Sequence, residues 1–127
     1  MITLTKGQVK RLHKKMVEAT GGLDGIRDES MLDSALSVAF QTFDGIDLYP
    51  SSTAKIARIA YGLVSNHPFV DGNKRIGTYV MMVLLELNRI EVDFTDDDII
   101  YIGLELASGK MDNEQLLDLI LERIKIN

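Results

Sequence analysis

From Tyr79 to Leu87 every residue except Glu86 is apolar. A helix made from such a run has almost no polar side to offer water, so other elements must surround it. The run is also far too short to cross a bilayer, which takes about 20 apolar residues. The chain is therefore expected to pack helices around this segment. A hydrophobic content of 46% is enough for such a core.

The rest of the sequence supplies those helices. Thr5 and Gln8 read as a capping box ahead of a stripe of Val9, Leu12, Met16 and Ala19, which Thr20-Gly21-Gly22 ends. His13 falls at the edge of that stripe and reads as a structural histidine. Asp28 or Ser30 can cap a second helix carrying Leu32, Ala35, Leu36, Ala39 and Phe40 at helical spacing. Before it, Arg27 reads as a partner for Asp28 or another nearby acid. Ser52 can cap a third helix with Ile56, Ile59, Ala60, Leu63 and Val64 on one face. Pro68 biases the preceding residue away from helical geometry, so this helix ends at Asn66 or His67. The fourth helix starts at Gly72 or Asn73 and runs through the apolar segment to Asn88-Arg89. Ile90 to Phe94 reads as an extended link.

Thr95 with Asp96, Asp97 and Asp98 reads as an acidic helix start, not a metal site. Carboxylates favour the positive end of a helix dipole, and adjacent residues in a turn do not share a face. Ile99, Ile100, Gly103, Leu104 and Ala107 continue that helix to Ser108-Gly109. Asp112 with Gln115 begins a sixth, carrying Leu116, Leu119, Ile120 and Ile124. The expected fold is all-α, a compact bundle of about six helices around a central buried helix, in one domain over residues 1–127. Between the second and third helices, Asp44-Gly45 and Tyr49-Pro50 are turn signals, yet Phe43, Ile46, Leu48 and Tyr49 are apolar or aromatic. Thr42 to Tyr49 is thus the flap candidate, a packed loop or a short hairpin.

Composition excludes several functions. With no cysteine, the chain can hold no disulfide, zinc-thiolate site or cysteine nucleophile. A net charge of -5 argues against general nucleic-acid binding, which needs a basic face. Lys10-Arg11 and Lys14-Lys15 read as a solvated helix face. The first residues lack the apolar core of a signal peptide. The expectations are a cytoplasmic location, no membrane partner and no direct nucleic-acid partner.

Chemistry concentrates in His67-Pro68-Phe69-Val70-Asp71-Gly72-Asn73-Lys74-Arg75, just where the fourth helix starts. A helix N-terminus offers free N–H groups and partial positive charge to an anion. Gly72 lets a phosphate approach the backbone closely, Asn73 can donate from its amide, and Lys74 and Arg75 add two cations where a bare helix least welcomes them. Asp71 suits a magnesium ion shared with substrate phosphates. His67 can act as a general base, since imidazole exchanges protons near neutral pH. Phe69 turns inward and anchors the loop.

This stretch resembles the signature of Fic-domain proteins, H-x-F-x-[DE]-G-N-x-R, and more closely its Doc (death-on-curing) toxin branch, where Lys follows the Asn. The resemblance runs from about Gly25 to Phe94, through Arg27-Asp28-Glu29, Phe40-Gln41-Thr42-Phe43, Leu48-Tyr49-Pro50 and Ala60-Tyr61-Gly62-Leu63. It implies that His67 deprotonates a hydroxyl of a target protein. It implies that Asp71 holds Mg²⁺ on the ATP phosphates, that Gly72 and Asn73 form an anion hole, and that Arg75 binds phosphate. Thr42, Phe43, Leu48 and Tyr49 correspond to the target-positioning flap.

Fic adenylyltransferases typically have Gly where this chain has Lys74, and a second Arg where it has Thr78. The resemblance therefore implies a Doc-type kinase that transfers the γ-phosphate to a translation factor, elongation factor Tu, and inhibits translation. AMP transfer on the same fold and a non-catalytic nucleotide- or antitoxin-binding module are the alternatives. The family's inhibitory motif, [ST]-x-x-x-E-[GN], is incomplete here, with Asp112 in place of Glu in Ser108 to Asn113. Regulation is thus expected from a separate, partly disordered, Phd-like antitoxin.

Overall fold

Helix boundaries fall where the sequence puts capping residues. The computed structural model describes residues 1–126. Helix α1 spans Lys6–Thr20, with the Thr5–Gln8 capping box formed and Gly21 at its end. Helix α2, Glu29–Ser37, is capped by Asp28, and Val38–Phe40 continue it as a 3₁₀ turn. Helix α3, Ser52–Ser65, is capped by Ser51 and not by Ser52, because the Ser51 hydroxyl is the one that accepts from the Ala54 N–H. Helix α4 spans Asn73–Leu87 behind Gly72. Helix α5, Asp96–Ala107, begins at a second capping box in which Thr95 and Asp98 exchange hydrogen bonds. Asp98 also meets Arg123 at 2.8 Å, so that aspartate serves a cap and an ion pair. Helix α6, Asn113–Glu122, begins at the Asp112–Gln115 box.

The expected all-α bundle is present, with six α-helices among the described residues. Its middle is a pair: α3 packs along α4 and also touches α2, α5 and α6. Ile56, Leu63, Ile76, Met81, Leu84, Ile102 and Leu116 fill the space between them. The apolar run of α4 is not enclosed all round. Tyr79 is 47% exposed, and Leu87 also reaches solvent, so one side of α4 stays open. Helix α1 contributes Val9, His13 and Val17 to the interior, while Leu12 and Met16 flank them and Ala19 faces water. His13 therefore lies in the middle of the buried face and not at its edge. Phe40, expected in the core, is pushed outward by the 3₁₀ turn. Residues 90–94 form the extended link, and it pairs with the C-terminal end: Val92 bridges Ile124, and Asp93 N–H donates to the Arg123 carbonyl.

Close approach of α3 and α4 depends on Gly77. A methyl group there would meet Val64 Cγ2 at 2.4 Å and the Ala60 carbonyl oxygen at 3.2 Å. Overpacking of that kind costs about 1–3 kcal/mol, set against about 1 kcal/mol gained in helix propensity. Gly77→Ala is expected to lower the thermal midpoint by roughly 5 °C. A midpoint at or above wild type, read by circular dichroism, would mean that Val64 can turn away without strain.

The segment between α2 and α3 is a hairpin. Strand β1, Thr42–Phe43, pairs antiparallel with β2, Ile46–Asp47, across a turn in which Asp44 and Gly45 both have positive φ. Such a turn matches the twist of paired strands, which explains the Asp-Gly choice. The hairpin stands off the body: Phe43 is 76% and Ile46 70% exposed. Its return strand is held at the base. Lys55 Nζ donates to the Tyr49 carbonyl, and Arg58 Nε donates to the Tyr49 hydroxyl at 3.2 Å.

Candidate functional site

The loop between α3 and α4 turns sharply at His67, whose φ is +48°. A left-handed backbone at a residue with a Cβ costs roughly 1–2 kcal/mol, so neighbouring contacts must hold it. They come from residues 25–28. Val70 N–H donates to the Gly25 carbonyl at 3.1 Å, and the Arg27 and Asp28 N–H groups donate to the Pro68 carbonyl at 2.8 and 3.1 Å. Ile26 thereby bridges Phe69 in antiparallel fashion. The Arg27 side chain adds two bonds, to the His67 carbonyl at 2.5 Å and the Asn66 carbonyl at 2.9 Å. Arg27 is thus spent on backbone oxygens, where pairing with an acid was expected.

Phe69 points inward, as expected, and is almost fully buried. Its ring stacks on His13 with centroids 3.9 Å apart and planes 8° from parallel. His13 Nε2 lies 2.7 Å from the Asp71 carbonyl oxygen. A carbonyl only accepts, so Nε2 carries the proton there. His13 Nδ1 has no hydrogen-bond partner, although Asp24 Oδ1 is 3.4 Å away. The structural reading of His13 stands, with a specific content: it holds Phe69 and Asp71 from below.

The carboxylate of Asp71 accepts from two backbone donors, Gly72 N–H at 2.8 Å and Leu23 N–H at 3.1 Å. These bonds, followed by the charge of Arg75, hold its pKa below the ordinary carboxylate range. A depressed folded pKa contributes stability that is present above the unfolded value of about 3.9 and is lost as pH falls through the folded pKa. Asp71→Asn is therefore expected to melt below wild type at neutral pH, with the gap closing as pH drops beneath 4. Thermal midpoints recorded across pH 2.5–7 would check this, and a constant gap would contradict it.

Gly72 caps α4 with φ +78°. A side chain there would meet Met16 Cε at 2.9 Å and Arg75 Nη2 at 3.3 Å. The first-turn N–H groups of Asn73, Lys74 and Arg75 have no intrahelical acceptor and can receive an anion. The side chain of Asn73 does not join them. It is buried, accepts from Phe69 N–H at 3.0 Å, donates to the Phe69 carbonyl at 3.0 Å, and lies 3.3 Å from His67 Nδ1. The expected amide donor to an anion is instead an internal brace for the loop, because the loop folds back over the start of α4. Arg75 Nη1 donates to Thr20 Oγ1 and to the Gly21 carbonyl at 3.1 Å, which ties α4 to the end of α1.

His67, Asp71, Gly72, Asn73, Lys74 and Arg75 do come together, and with Val70 and Ala107 they line a cavity of about 570 Å³. The flap residues Thr42, Phe43, Leu48 and Tyr49 lie outside that lining. A second depression, about 590 Å³ and mostly apolar, runs between α1, α4 and α5 past Met16, Tyr79, Met82, Ile100 and Leu104. Lys74 and Arg75 line both. Sequence reading missed the roles of Arg27 and of residues 21–23. No local signal marks them, since their partners lie 39 to 54 residues away. His13 did leave a signal, its spacing of four from both Val9 and Val17.

Two comparisons with known proteins bear on the family of this chain. Residues 3–85 match the family model described as Fic/DOC family. Toxin Doc of Mycolicibacterium smegmatis (strain ATCC 700084 / mc(2)155) is 36% identical over 81 residues. That segment covers 62% of this chain and 62% of the relative's length. It is long enough to include the signature loop together with the helices on either side of it. With more than half of its length matched by the family model, the chain belongs to the Fic/DOC family.

Proposed function

We propose that this chain is a Doc-type toxin, a protein kinase that moves the γ-phosphate of ATP to a Ser or Thr hydroxyl of a translation factor and so inhibits translation. Elongation factor Tu is the target that the family resemblance suggests. The observation that carries the reading is the cation set of the cavity. Lys74 and Arg75 both line it. Thr78, one turn on, is buried and its hydroxyl donates back to the Lys74 and Arg75 carbonyls at 3.2 Å each. Thr78 offers no second guanidinium for an α-phosphate, while the Lys74 ammonium supplies charge for a terminal phosphate.

In this reading the ATP phosphates lie over the free N–H groups of the first α4 turn, with Arg75 and Lys74 as counter-charges. The target hydroxyl oxygen bonds to the γ-phosphorus as the bond from that phosphorus to the bridging oxygen of ADP breaks. His67 takes the hydroxyl proton. Its Nδ1 faces the Asn73 amide, whose orientation Phe69 fixes, so Nε2 is the nitrogen left for substrate. With Nδ1 accepting, the neutral ring carries its proton on Nε2. Base catalysis therefore requires that 3.3 Å contact to loosen as the target docks, and at that length the contact is weak.

Asp71 fits a magnesium ion. It is held ionised, and each oxygen has accepted only one N–H, which leaves lone pairs for an ion shared with phosphate. Bound there, Mg²⁺ would neutralise charge on the phosphates. The exposed hairpin would present the target segment, and its free strand edges suit backbone pairing with an extended peptide. The apolar groove beside the cavity suits the apolar face of an antitoxin segment that folds on binding. Among the described residues no helix is long and apolar enough to cross a membrane, and the reading places the enzyme in the cytoplasm, with its target.

The test is a lysate incubated with the protein and ATP labelled at either the α or the γ position. Label transfer from γ alone supports the kinase. Transfer from α alone would replace it with AMP transfer. No label in either arm, with purified elongation factor Tu added, would favour a non-catalytic binding module.

A further inference from the structure

The signature loop does not hold His67 by itself, and we infer that Arg27, from outside the motif, is a positioning residue for it. Arg27 alone supplies donors to three consecutive carbonyls. Its guanidinium donates to Asn66 and His67, and its backbone N–H donates to Pro68. Those carbonyls follow the end of α3, where helix donors run out. Between them sits the left-handed His67. Turning that backbone toward its ordinary region would swing both carbonyls and carry the imidazole away from Asn73 and the cavity. A planar guanidinium can hold two carbonyl oxygens at a fixed separation, which a single ammonium cannot do as well. Asn66 is braced from the other side, its amide donating to the Met31 carbonyl at 3.1 Å. The turn at His67 is thus pinned by the α2 segment on both sides of the chain reversal.

A plain helix cap would explain the bonds equally well, but it predicts a different outcome. Arg27 is exposed and makes no contribution to the core. Removing it should lower the thermal midpoint only modestly, by roughly 5 °C, as for the loss of a helix cap. As a cap its loss would be felt only there. As a positioning residue its loss falls on turnover, where small misplacement of a reacting group costs up to about 10²-fold.

The inference rests on the kinase reading, so its test has one arm that needs no activity. Arg27→Ala and Arg27→Lys are compared with wild type in γ-label transfer. The expected result is a kcat lower by about 10- to 100-fold for Ala and by less for Lys, with KM for ATP unchanged within about threefold, since the phosphate-binding groups stay in place. Millimolar guanidinium should restore part of the Ala variant's rate. In parallel, the chain's two histidines give two ring Cε1–H resonances by NMR. Arg27→Ala should shift or broaden that of His67 and leave that of His13 where it is. A wild-type kcat in Arg27→Ala overturns the inference, and so does a fall in kcat with an unmoved His67 resonance. If the wild type transfers no label at all, the kinase reading fails and the resonance alone decides: movement supports the positioning role, and an unmoved signal ends it.

Discussion

His67→Ala is expected to lower γ-phosphate transfer by about 10²- to 10⁴-fold, the range that a positioned acid–base group contributes. The fold should survive the change. His67 is exposed, and the bonds that shape its turn go to main-chain oxygens that Ala also has. KM for ATP should stay within a few-fold, because Asp71, Lys74 and Arg75 remain on the cavity wall. The measurement is the initial rate of label transfer to purified target, beside a thermal melt of the same sample. A variant within about tenfold of wild type would remove His67 from proton transfer and leave phosphate positioning as the main source of rate. A variant that loses ATP affinity but keeps kcat would make His67 a phosphate contact.

Phe69→Ala is expected to be the most damaging single change to stability. The ring is almost fully buried, and truncation of a buried Phe costs about 3–5 kcal/mol. For a chain of this size that corresponds to a thermal midpoint lower by roughly 10–20 °C. Two losses add here. The cavity opens under the signature loop, and His13 loses its stacking partner while still buried. Phe69→Leu separates them, since it restores most of the volume but not the stack, and should cost about 1 kcal/mol or somewhat more. Activity should fall in both variants below their melting range, because the buried ring anchors the loop and so places the Phe69 backbone groups that fix the Asn73 amide facing His67. A Phe69→Ala midpoint within 4 °C of wild type would show that the loop does not depend on this anchor.

Much of the bundle was legible because its determinants are local. Thr5–Gln8 and Asp112–Gln115 each close a cap within four residues and appear as read, and the acidic helix start at Thr95 turns out to be a third such box, closed by Asp98. The Asp44-Gly45 turn likewise carries its own geometry in two residues. Errors of one position, such as Ser52 for Ser51, arise where two adjacent hydroxyls compete and only the α3 backbone selects between them. Phe40 was misplaced for a similar reason, since helical spacing was carried past Ser37 into a tighter turn that rotates the side chain outward.

By itself the sequence determined the helices, their caps and the order of chemical groups from His67 to Arg75, since each follows from neighbours a few residues apart. It also carried the Fic-type signature that the family match bears out. Only the tertiary structure decided what those groups do. Asn73 became a brace, Asp71 a carboxylate held by Leu23 and Gly72, and Arg27 a clamp on the turn. The reason is physical: the left-handed turn at His67 is held by donors that the fold brings back from Arg27 and Asp28, in the connector ahead of α2, and no local pattern records a bond made 40 residues away.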